Sequence, residues 1–238
     1  MAIGKEIIAL QDIIGYRFAD ITTLEHALTH SSYTNEQRSK GITAISNERL
    51  EFLGDAVLQM VISEYLYSNF KKYREGALTK MRQHLVCERT LAKIANTIDL
   101  GQYLNLGHGE EMTDCRHRPK ILADALEALI AAVYTDCASR GDEEYKAVVL
   151  RLFEKEISSA GAMQKTDYKT LLQQLTEQDG ASILEYRVVE ERGPEHQKTF
   201  TVVAFINNNE VGRGVAATKK NAEMQAAKIA LKLFGVSV

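Results

Sequence analysis

The stretch N-E-R-L-E-F-L-G-D-A-V-L, residues 47–58, places three carboxylates in an otherwise apolar helical pattern. Because a helix turns by about 100° per residue, Glu48, Glu51 and Asp55 fall on one stripe and an apolar face lies opposite. A stripe of acidic residues is most often a solvated surface. This segment alone therefore leaves a plain polar face and a functional site both open.

A second helical pattern, residues 121–134, carries Asp124 and Glu127 as its only charges. They stand one turn apart, and the small Ala128 and Ala131 on the same strip predict open space beside them. Charges on so apolar a helix are costly to desolvate unless they are paired or coordinated. Carboxylate oxygens suit Mg²⁺ or Mn²⁺, so two acid-bearing helices predict one metal site.

Apolar residues recur at intervals of three and four through most of the first two thirds of the chain, and glycines mark the breaks. This pattern predicts a helical bundle. The predicted helical stretches are residues 7–14, 24–30, 50–70, 78–98, 121–135 and 145–157.

The pattern changes after residues 158–166, S-S-A-G-A-M-Q-K-T, which are small and polar and predict a linker. Residues 168–177 have helical periodicity, three strand-like segments follow, and a helix is predicted for 218–233. Helix, three strands and helix form a small α+β domain.

The composition sets limits on function. The 238 residues include 29 basic and 32 acidic side chains, a net charge of −3, and the pI is about 6.1. Residues 1–165 hold 20 basic and 23 acidic residues and residues 166–238 hold nine of each, so neither part is basic overall. Any nucleic-acid contact must depend on local clusters. Three widely spaced cysteines favour reduced thiols, and no apolar run is long enough for a membrane span.

The stretch 47–58 resembles the signature of the ribonuclease III family, which are endonucleases of double-stranded RNA. Further segments resemble the family in the same order: A-L-T-H-S-S-Y from Ala27, R-E-G-A-L-T-K-M-R from Arg74, and I-L-A-D-A-L-E-A-L-I from Ile121. The resemblance covers nearly the whole chain. It implies an all-α helical endonuclease domain at residues 1–157, a flexible linker at 158–166 and a double-stranded-RNA-binding domain of α-β-β-β-α order at 167–236.

The resemblance also implies a site and a reaction. Glu51, Asp55, Asp124 and Glu127 would hold Mg²⁺, with Mn²⁺ as a substitute, and Asp55 and Glu127 would be catalytic. We expect Glu51 and Glu127 to be direct ligands, and Asp55 and Asp124 to bind through water or to orient those ligands. Hydrolysis would leave 5′-phosphate and 3′-hydroxyl ends.

Further residues match the family at secondary positions. Glu48 and Glu75 are assigned auxiliary acidic roles at the cleavage site, although helix capping and an ordinary surface role explain them nearly as well. The RNA-binding candidates of the second domain lie on its first helix, in its first strand connection and at the start of its last helix: Thr170, Gln173, Pro194, His196, Lys219 and Lys220. Such a domain reads duplex shape and 2′-hydroxyls more than base sequence.

The family resemblance implies a homodimer, because each nuclease domain supplies one cutting centre and two strands are cut. Phe52, Leu53 and Met60 are interface candidates, and core packing explains them equally well. The expected role is cytoplasmic processing of ribosomal, messenger and transfer RNA precursors and RNA decay, away from membranes. Ser31 departs from the family, in which arginine is frequent at this position.

Two alternatives of another class remain open: a protein of this architecture that holds structured RNA without cutting it, and an RNA-binding assembly regulator. Retention of the matching acids argues against the first, and the second predicts a function that does not depend on metal. Magnesium dependence of RNA cleavage discriminates among the three.

Overall fold

The structure is a computed structural model that describes residues 2–165, 168–178, 182–194 and 198–236. The chain divides into two compact units, Met1–Ala160 and Gly161–Val238. Helices form the first unit, and the second combines helices with a sheet. The fold class expected from the sequence, an all-α domain followed by an α-β-β-β-α domain, is confirmed.

Most of the helices that begin in the first unit pack around one large apolar core. Short 3₁₀ turns at Leu100–Tyr103 and Cys115–His117 connect the later ones. The α-helices are α1 (Ala2–Ile14), α2 (Ile21–Ala27), α3 (Ser31–Ser39), α4 (Glu48–Asn69), α5 (Glu75–Val86), α6 (Glu88–Thr97), α7 (His108–Met112), α8 (Pro119–Arg140) and α9 (Glu144–Lys165).

Helix α8 is the central element of this unit and packs against α2, α4 and α6. It begins with Pro119 at its first position, where the missing N–H costs no helical hydrogen bond, and Gly141 ends it in the left-handed conformation. Leucine, isoleucine and alanine side chains are buried nearly all round it. A charged side chain is costly to desolvate on a helix that is buried on several sides. Such a charge is therefore expected to be paired or to serve a functional site.

Helix α4 approaches α8 at a glycine. A Cβ atom added at Gly54 would lie 1.9 Å from the backbone oxygen of Glu127. Only a residue without a side chain permits this crossing. The crossing therefore places the residues that flank Gly54 on α4 beside Glu127.

The predicted helical stretch 78–98 is two helices, because the chain is extended at Cys87. The hydroxyl of Thr90 donates to the backbone oxygen of His84 (2.7 Å) and so satisfies a carbonyl at the end of α5. A break with its own hydrogen bonds interrupts the helix here, while the apolar periodicity continues across it.

The predicted linker also differs from the structure. Helix α9 continues through residues 158–165, which the sequence suggested to be irregular. This stretch contains no proline, and its one glycine, Gly161, weakens a helix without ending one that the preceding apolar turns have already formed. The division between the compact units, after Ala160, falls inside this stretch.

The second unit contains a three-stranded antiparallel sheet of order β1-β2-β3 and two helices. Its elements are α10 (Tyr168–Gln178), β1 (Leu184–Arg192), β2 (Thr199–Ile206), β3 (Asn209–Ala216) and α11 (Lys219–Leu233). Cβ atoms added at Gly212 and Gly214 would lie 2.2 and 2.1 Å from backbone oxygens of α11. The sheet and α11 therefore pack with their backbones in close contact.

Among the described residues, no helix is long and apolar enough to cross a membrane.

Candidate metal centre and RNA-binding residues

Three carboxylates converge where α4 crosses α8. One oxygen from each of Glu51, Asp124 and Glu127 lies within 4.8 Å of the others, and all three side chains are partly buried. Across the described ranges 2–165, 168–178, 182–194 and 198–236, this is the one group of His, Cys, Asp and Glu side chains arranged to share a metal ion. We call it the carboxylate triad.

The triad is electrostatically strained. Burial, followed by repulsion from Asp55, Asp124 and Glu51, raises the pKa of Glu127 to about 7. Burial and the charge of Asp124 likewise raise the pKa of Glu51. Carboxylates that are held together against their own repulsion gain the most from a bound cation. The donor set of three hard oxygens, with no thiolate or imidazole, fits Mg²⁺ or Mn²⁺.

The pKa of Asp124 is also raised. Burial is the largest cause, and the carboxylate of Glu88 adds to it. The positive charge of Lys120 acts in the opposite direction. Asp124 therefore lies where charges from α6 and α8 meet.

Asp55 lies beside the triad and not within it. Its carboxylate has the largest electrostatic effect of the neighbouring groups on Glu127. The side-chain amide of Gln59, one turn further along α4, donates to both of its oxygens (2.8 and 2.9 Å). The structure thus brings three of the four predicted ligands together. The fourth, Asp55, lies beside them and accepts hydrogen bonds from the amide of Gln59.

Neither auxiliary acid is a member of the triad, although the charge of Glu48 adds to the raised pKa of Glu51. Glu48 is exposed in the first turn of α4 and accepts a hydrogen bond from the hydroxyl of Ser46 (2.8 Å). Glu75 begins α5, is exposed, and accepts one from Thr79 (2.7 Å). It borders a cavity of about 930 Å³ between the end of α4 and α5, which Lys71 also lines.

The open space expected beside the triad is absent, because Ala128 and Ala131 are fully buried. Their small size serves close helix packing, with Ala128 in a cluster that includes Ala27 and Ala132. Sequence reasoning also missed Gly54, whose lack of a side chain sets the distance between the acid-bearing helices. A glycine inside an apolar helix was the available signal, since glycine there costs helix stability.

In the second unit, the first helix and the start of the last helix present the RNA-binding candidates. Thr170 and Gln173 lie on α10, and the amide of Gln173 donates to Glu177 (3.0 Å). Pro194 is exposed after β1, whereas His196 lies outside the described residues.

Lys219 and Lys220 are exposed in the first turn of α11, which the hydroxyl of Thr218 caps by accepting from the N–H of Asn221. Lys219 pairs with Glu191 (2.8 Å), and this contact lowers the pKa of Glu191. Two lysines beside the open amides of a helix start are suited to phosphate.

Comparisons with known proteins agree with this architecture. The sequence model described as "Ribonuclease-III-like" matches residues 20–156, and the one described as "Double-stranded RNA binding motif" matches residues 168–233. The chain belongs to the ribonuclease III family. This ribonuclease III is an endoribonuclease of double-stranded RNA, as the sequence predicted.

Its relatives match over nearly their whole length. Ribonuclease 3 of Caldanaerobacter subterraneus subsp. tengcongensis is 45% identical over 95% of this chain and 97% of its own. Ribonuclease 3 of Geobacillus kaustophilus is 43% identical over 94% of this chain and 89% of its own.

A solved structure agrees with the nuclease fold. The nuclease domain of ribonuclease III from Campylobacter jejuni superposes with a TM-score of 0.56 at 42% identity, covering 64% of this chain and 96% of that one. A second structure of that domain shows structural flexibility in a region involved in dimer formation.

Proposed function

We propose that this ribonuclease III hydrolyses double-stranded RNA with Mg²⁺ or Mn²⁺ held by Glu51, Asp124 and Glu127, with Asp55 as the adjoining fourth carboxylate. The convergence of three partly buried carboxylates within 4.8 Å carries this proposal. Without a bound cation, the nearby charge of Lys120 offsets their mutual repulsion only in part, and burial adds to the cost of their charged forms. The products carry 5′-phosphate and 3′-hydroxyl ends.

The residues of the site have different roles. Glu51 on α4 and Glu127 on α8 would bind the metal directly, whereas Asp124 and Asp55 would bind through water or orient the ligands. When bound, the metal supplies Lewis-acid chemistry: it activates water for attack on phosphorus and stabilises charge on the leaving oxygen. Asp55 and Glu127 are the catalytic pair, and Glu48 and Glu75 are auxiliary acids.

The second domain supplies affinity for the duplex. Thr170, Gln173, Pro194 and His196 would contact the shallow groove of the RNA, and Lys219 and Lys220 would contact phosphates between the two groove contacts. The exposed lysines at the start of α11 support this assignment. Because phosphate contacts release counter-ions, binding weakens as salt is added and varies little with sequence.

A homodimer would place two triads on one duplex. Phe52 is 81% exposed and Met60 is 48% exposed on α4, eight residues apart and therefore on one side of the helix. Leu53, in contrast, packs against the core, so we assign the interface to Phe52 and Met60. The dimer-forming region noted for the Campylobacter jejuni domain supports this assembly.

The biological role follows from the family. We assign the protein to the cytoplasm, where it would process ribosomal, messenger and transfer RNA precursors and contribute to RNA decay. Membership of the family and the double-stranded-RNA-binding domain support this assignment.

Cleavage of a long RNA duplex with and without Mg²⁺ tests the proposed function. We expect metal-dependent cutting, products that accept end-labelling only after phosphatase treatment of their 5′ ends, and loss of cutting in Glu127→Gln. Duplex binding by Glu127→Gln without cleavage shows that the RNA-binding function is intact. Cleavage at the wild-type rate in a chelator, or in Glu127→Gln, contradicts the proposal.

A further inference from the structure

Gln59 contacts the one predicted ligand that lies outside the carboxylate triad. Its side-chain Nε2 donates to both oxygens of Asp55, at 2.8 and 2.9 Å, and both side chains are partly buried. The two residues stand one turn apart on α4, and a helical side chain lies over the turn that precedes its own Cα. The amide therefore reaches back to the carboxylate and restricts its orientation.

The turn of α4 that carries Gln59 is tied to a neighbouring helix. The hydroxyl of Ser63 donates to the backbone oxygen of Gln59 (2.6 Å) and accepts from the guanidinium of Arg82 on α5 (3.0 Å). Hydrogen bonds thus connect α5 to Ser63, Ser63 to the backbone of Gln59, and the amide of Gln59 to Asp55. These contacts restrain the backbone from which the amide projects.

Asp55 lies between the triad and this amide along α4. Glu51, Asp55 and Gln59 follow one another at intervals of four residues, which places them on one side of the helix. Glu51 belongs to the triad, and the charge of Asp55 acts on Glu127. The orientation of the Asp55 carboxylate therefore decides how it meets a metal ion held by the triad.

An uncharged donor is suited to this position. A carboxylate has about four acceptor positions, so it can accept from the amide and still accept from water. A lysine in place of Gln59 would also bind Asp55, but its charge would repel an incoming divalent cation. The amide orients Asp55 without that repulsion and leaves its negative charge in place.

We propose that Gln59 is a positioning residue for metal binding: it holds Asp55 beside the triad, where this carboxylate accepts hydrogen bonds from metal-bound water. The inference rests on the proposed metal-dependent function. Loss of a hydrogen bond that orients such a group typically weakens metal binding or activity by about 10- to 100-fold. A Gln–Asp pair one turn apart also stabilises a helix slightly, and a pair with that effect alone would leave metal affinity unchanged.

The experiment removes the donor and keeps the shape of the side chain. Gln59→Met retains the length and the helix propensity of glutamine but has no N–H. Gln83→Met is the matched control, because it makes the same change at an exposed position on α5. Urea unfolding of each full-length variant in a chelator verifies that it is folded.

Calorimetric titration with Mn²⁺ in the absence of RNA is the first measurement. It should show about tenfold weaker binding for Gln59→Met and wild-type affinity for Gln83→Met. In an Asp55→Asn background, Gln59→Met should weaken binding no further, because the amide acts through Asp55.

Duplex cleavage over a series of Mn²⁺ concentrations is the second measurement. The Mn²⁺ concentration that gives half the maximal rate should rise about tenfold for Gln59→Met, the same factor as in the titration. The KM for the RNA duplex should be unchanged, since the amide contacts Asp55 and not the RNA.

Wild-type Mn²⁺ affinity in Gln59→Met overturns the inference. Equal weakening by Gln83→Met overturns it as well, and so does a further loss in the Asp55→Asn background, which would show that Gln59 acts on another group. If the wild-type protein itself binds no Mn²⁺ and cleaves RNA in a chelator, the metal-dependent function is wrong. If the wild type binds Mn²⁺ and Gln59→Met binds it equally, only the role of Gln59 is wrong.

Discussion

Glu127 is both a proposed metal ligand and a residue that destabilises the metal-free fold. Its carboxylate is partly buried between α4 and α8, and burial with the charges of Asp55, Asp124 and Glu51 raises its pKa to about 7. A group held in this way is a strong ligand for a cation and a cost to the metal-free fold. Residues at functional sites commonly carry such a cost.

The metal-free protein should therefore lose stability as pH rises through the range of Glu127. Its folded-state pKa of about 7 exceeds the reference value of 4.5, so the folded state holds the proton between these values and stability falls from about pH 4.5 to 7. We expect Glu127→Gln to be more stable than wild type at pH 8 in a chelator, by on the order of 1–2 kcal/mol after allowance for partial exposure. At pH 5 the difference should be much smaller. Urea unfolding at both pH values measures it.

Glu154→Gln on α9 is the control for this change, because it removes the same charge from an exposed position. It should show no comparable gain at pH 8. An equal gain in both variants, or a gain of Glu127→Gln that is independent of pH, would contradict this account of strain in the triad.

Gly54 provides a second residue-level prediction. Because an added Cβ would lie 1.9 Å from the backbone oxygen of Glu127, Gly54→Ala must move α4 away from α8. We expect a loss of about 3 kcal/mol in unfolding free energy and loss of Mn²⁺ binding. Gly76→Ala is the matched control, since nothing lies within 4 Å of its Cβ, and it should change stability by less than about 1 kcal/mol. Wild-type Mn²⁺ affinity in a folded Gly54→Ala protein would show that the close crossing does not set the site.

At the scale of elements, the acid-bearing helices were the most predictable part of the fold. Long apolar periodicity fixed α4 and α8, and carboxylates set into that periodicity indicated that the two helices share a site. The packing between them was not predictable. Periodicity predicts which face of a helix a side chain lies on, but it does not predict the distance between two helices. Gly54 and the buried alanines determine that distance for α4 and α8.

Apolar periodicity also gives no signal for a helix that has no apolar face, so such a helix was missed. Helix α3 (Ser31–Ser39) is polar apart from a tyrosine and has Thr34 as its buried residue, so it gives no amphipathic signal. His30 caps it, with its ring nitrogen accepting from the N–H of Ser32 (3.2 Å), a contact that single-sequence periodicity does not detect. In the linker, small residues suggested an irregular chain although nothing in them ends a helix.

The contact between β3 and α11 gives a prediction at this scale. An added Cβ at Gly214 would lie 2.1 Å from the backbone oxygen of Ala222, so Gly214→Ala should separate the sheet from α11 and unfold the second domain. We expect at least tenfold weaker binding to an RNA duplex in a gel-shift assay. Protection of the first domain from proteolysis should be unchanged, because the two compact units have separate cores.

Val215→Ala, at the next residue of β3, is the control because its side chain is 51% exposed. It removes surface methyl groups from the same strand and should leave duplex binding within about twofold of wild type, as surface substitutions generally do. Duplex binding by Gly214→Ala at wild-type affinity would exclude a role of the close strand–helix contact in holding the domain together.

At the scale of the whole molecule, the proposed cleavage of both strands calls for two cutting centres, and the chain contains one triad among its described residues. A second copy is the natural source of the other centre. Phe52 is 81% exposed, and a partner chain that covers it would remove this apolar surface from water. Helix α4 would thus have two functions: one face carries ligands and another carries the interface.

Phe52→Glu tests this dual use of α4. A carboxylate in place of an apolar side chain at the centre of a symmetric interface meets its own copy across the axis, so association should be lost. Light scattering should give the mass of two 26.6 kDa chains for the wild type and of one chain for Phe52→Glu. Double-strand cleavage should fall at least 100-fold while Mn²⁺ binding persists, since Phe52 is no member of the triad.

Ile8→Glu, which alters an exposed apolar residue on α1, should remain dimeric and active. A dimeric and fully active Phe52→Glu protein would place the interface elsewhere, and a wild type that is monomeric at all concentrations would refute the homodimer.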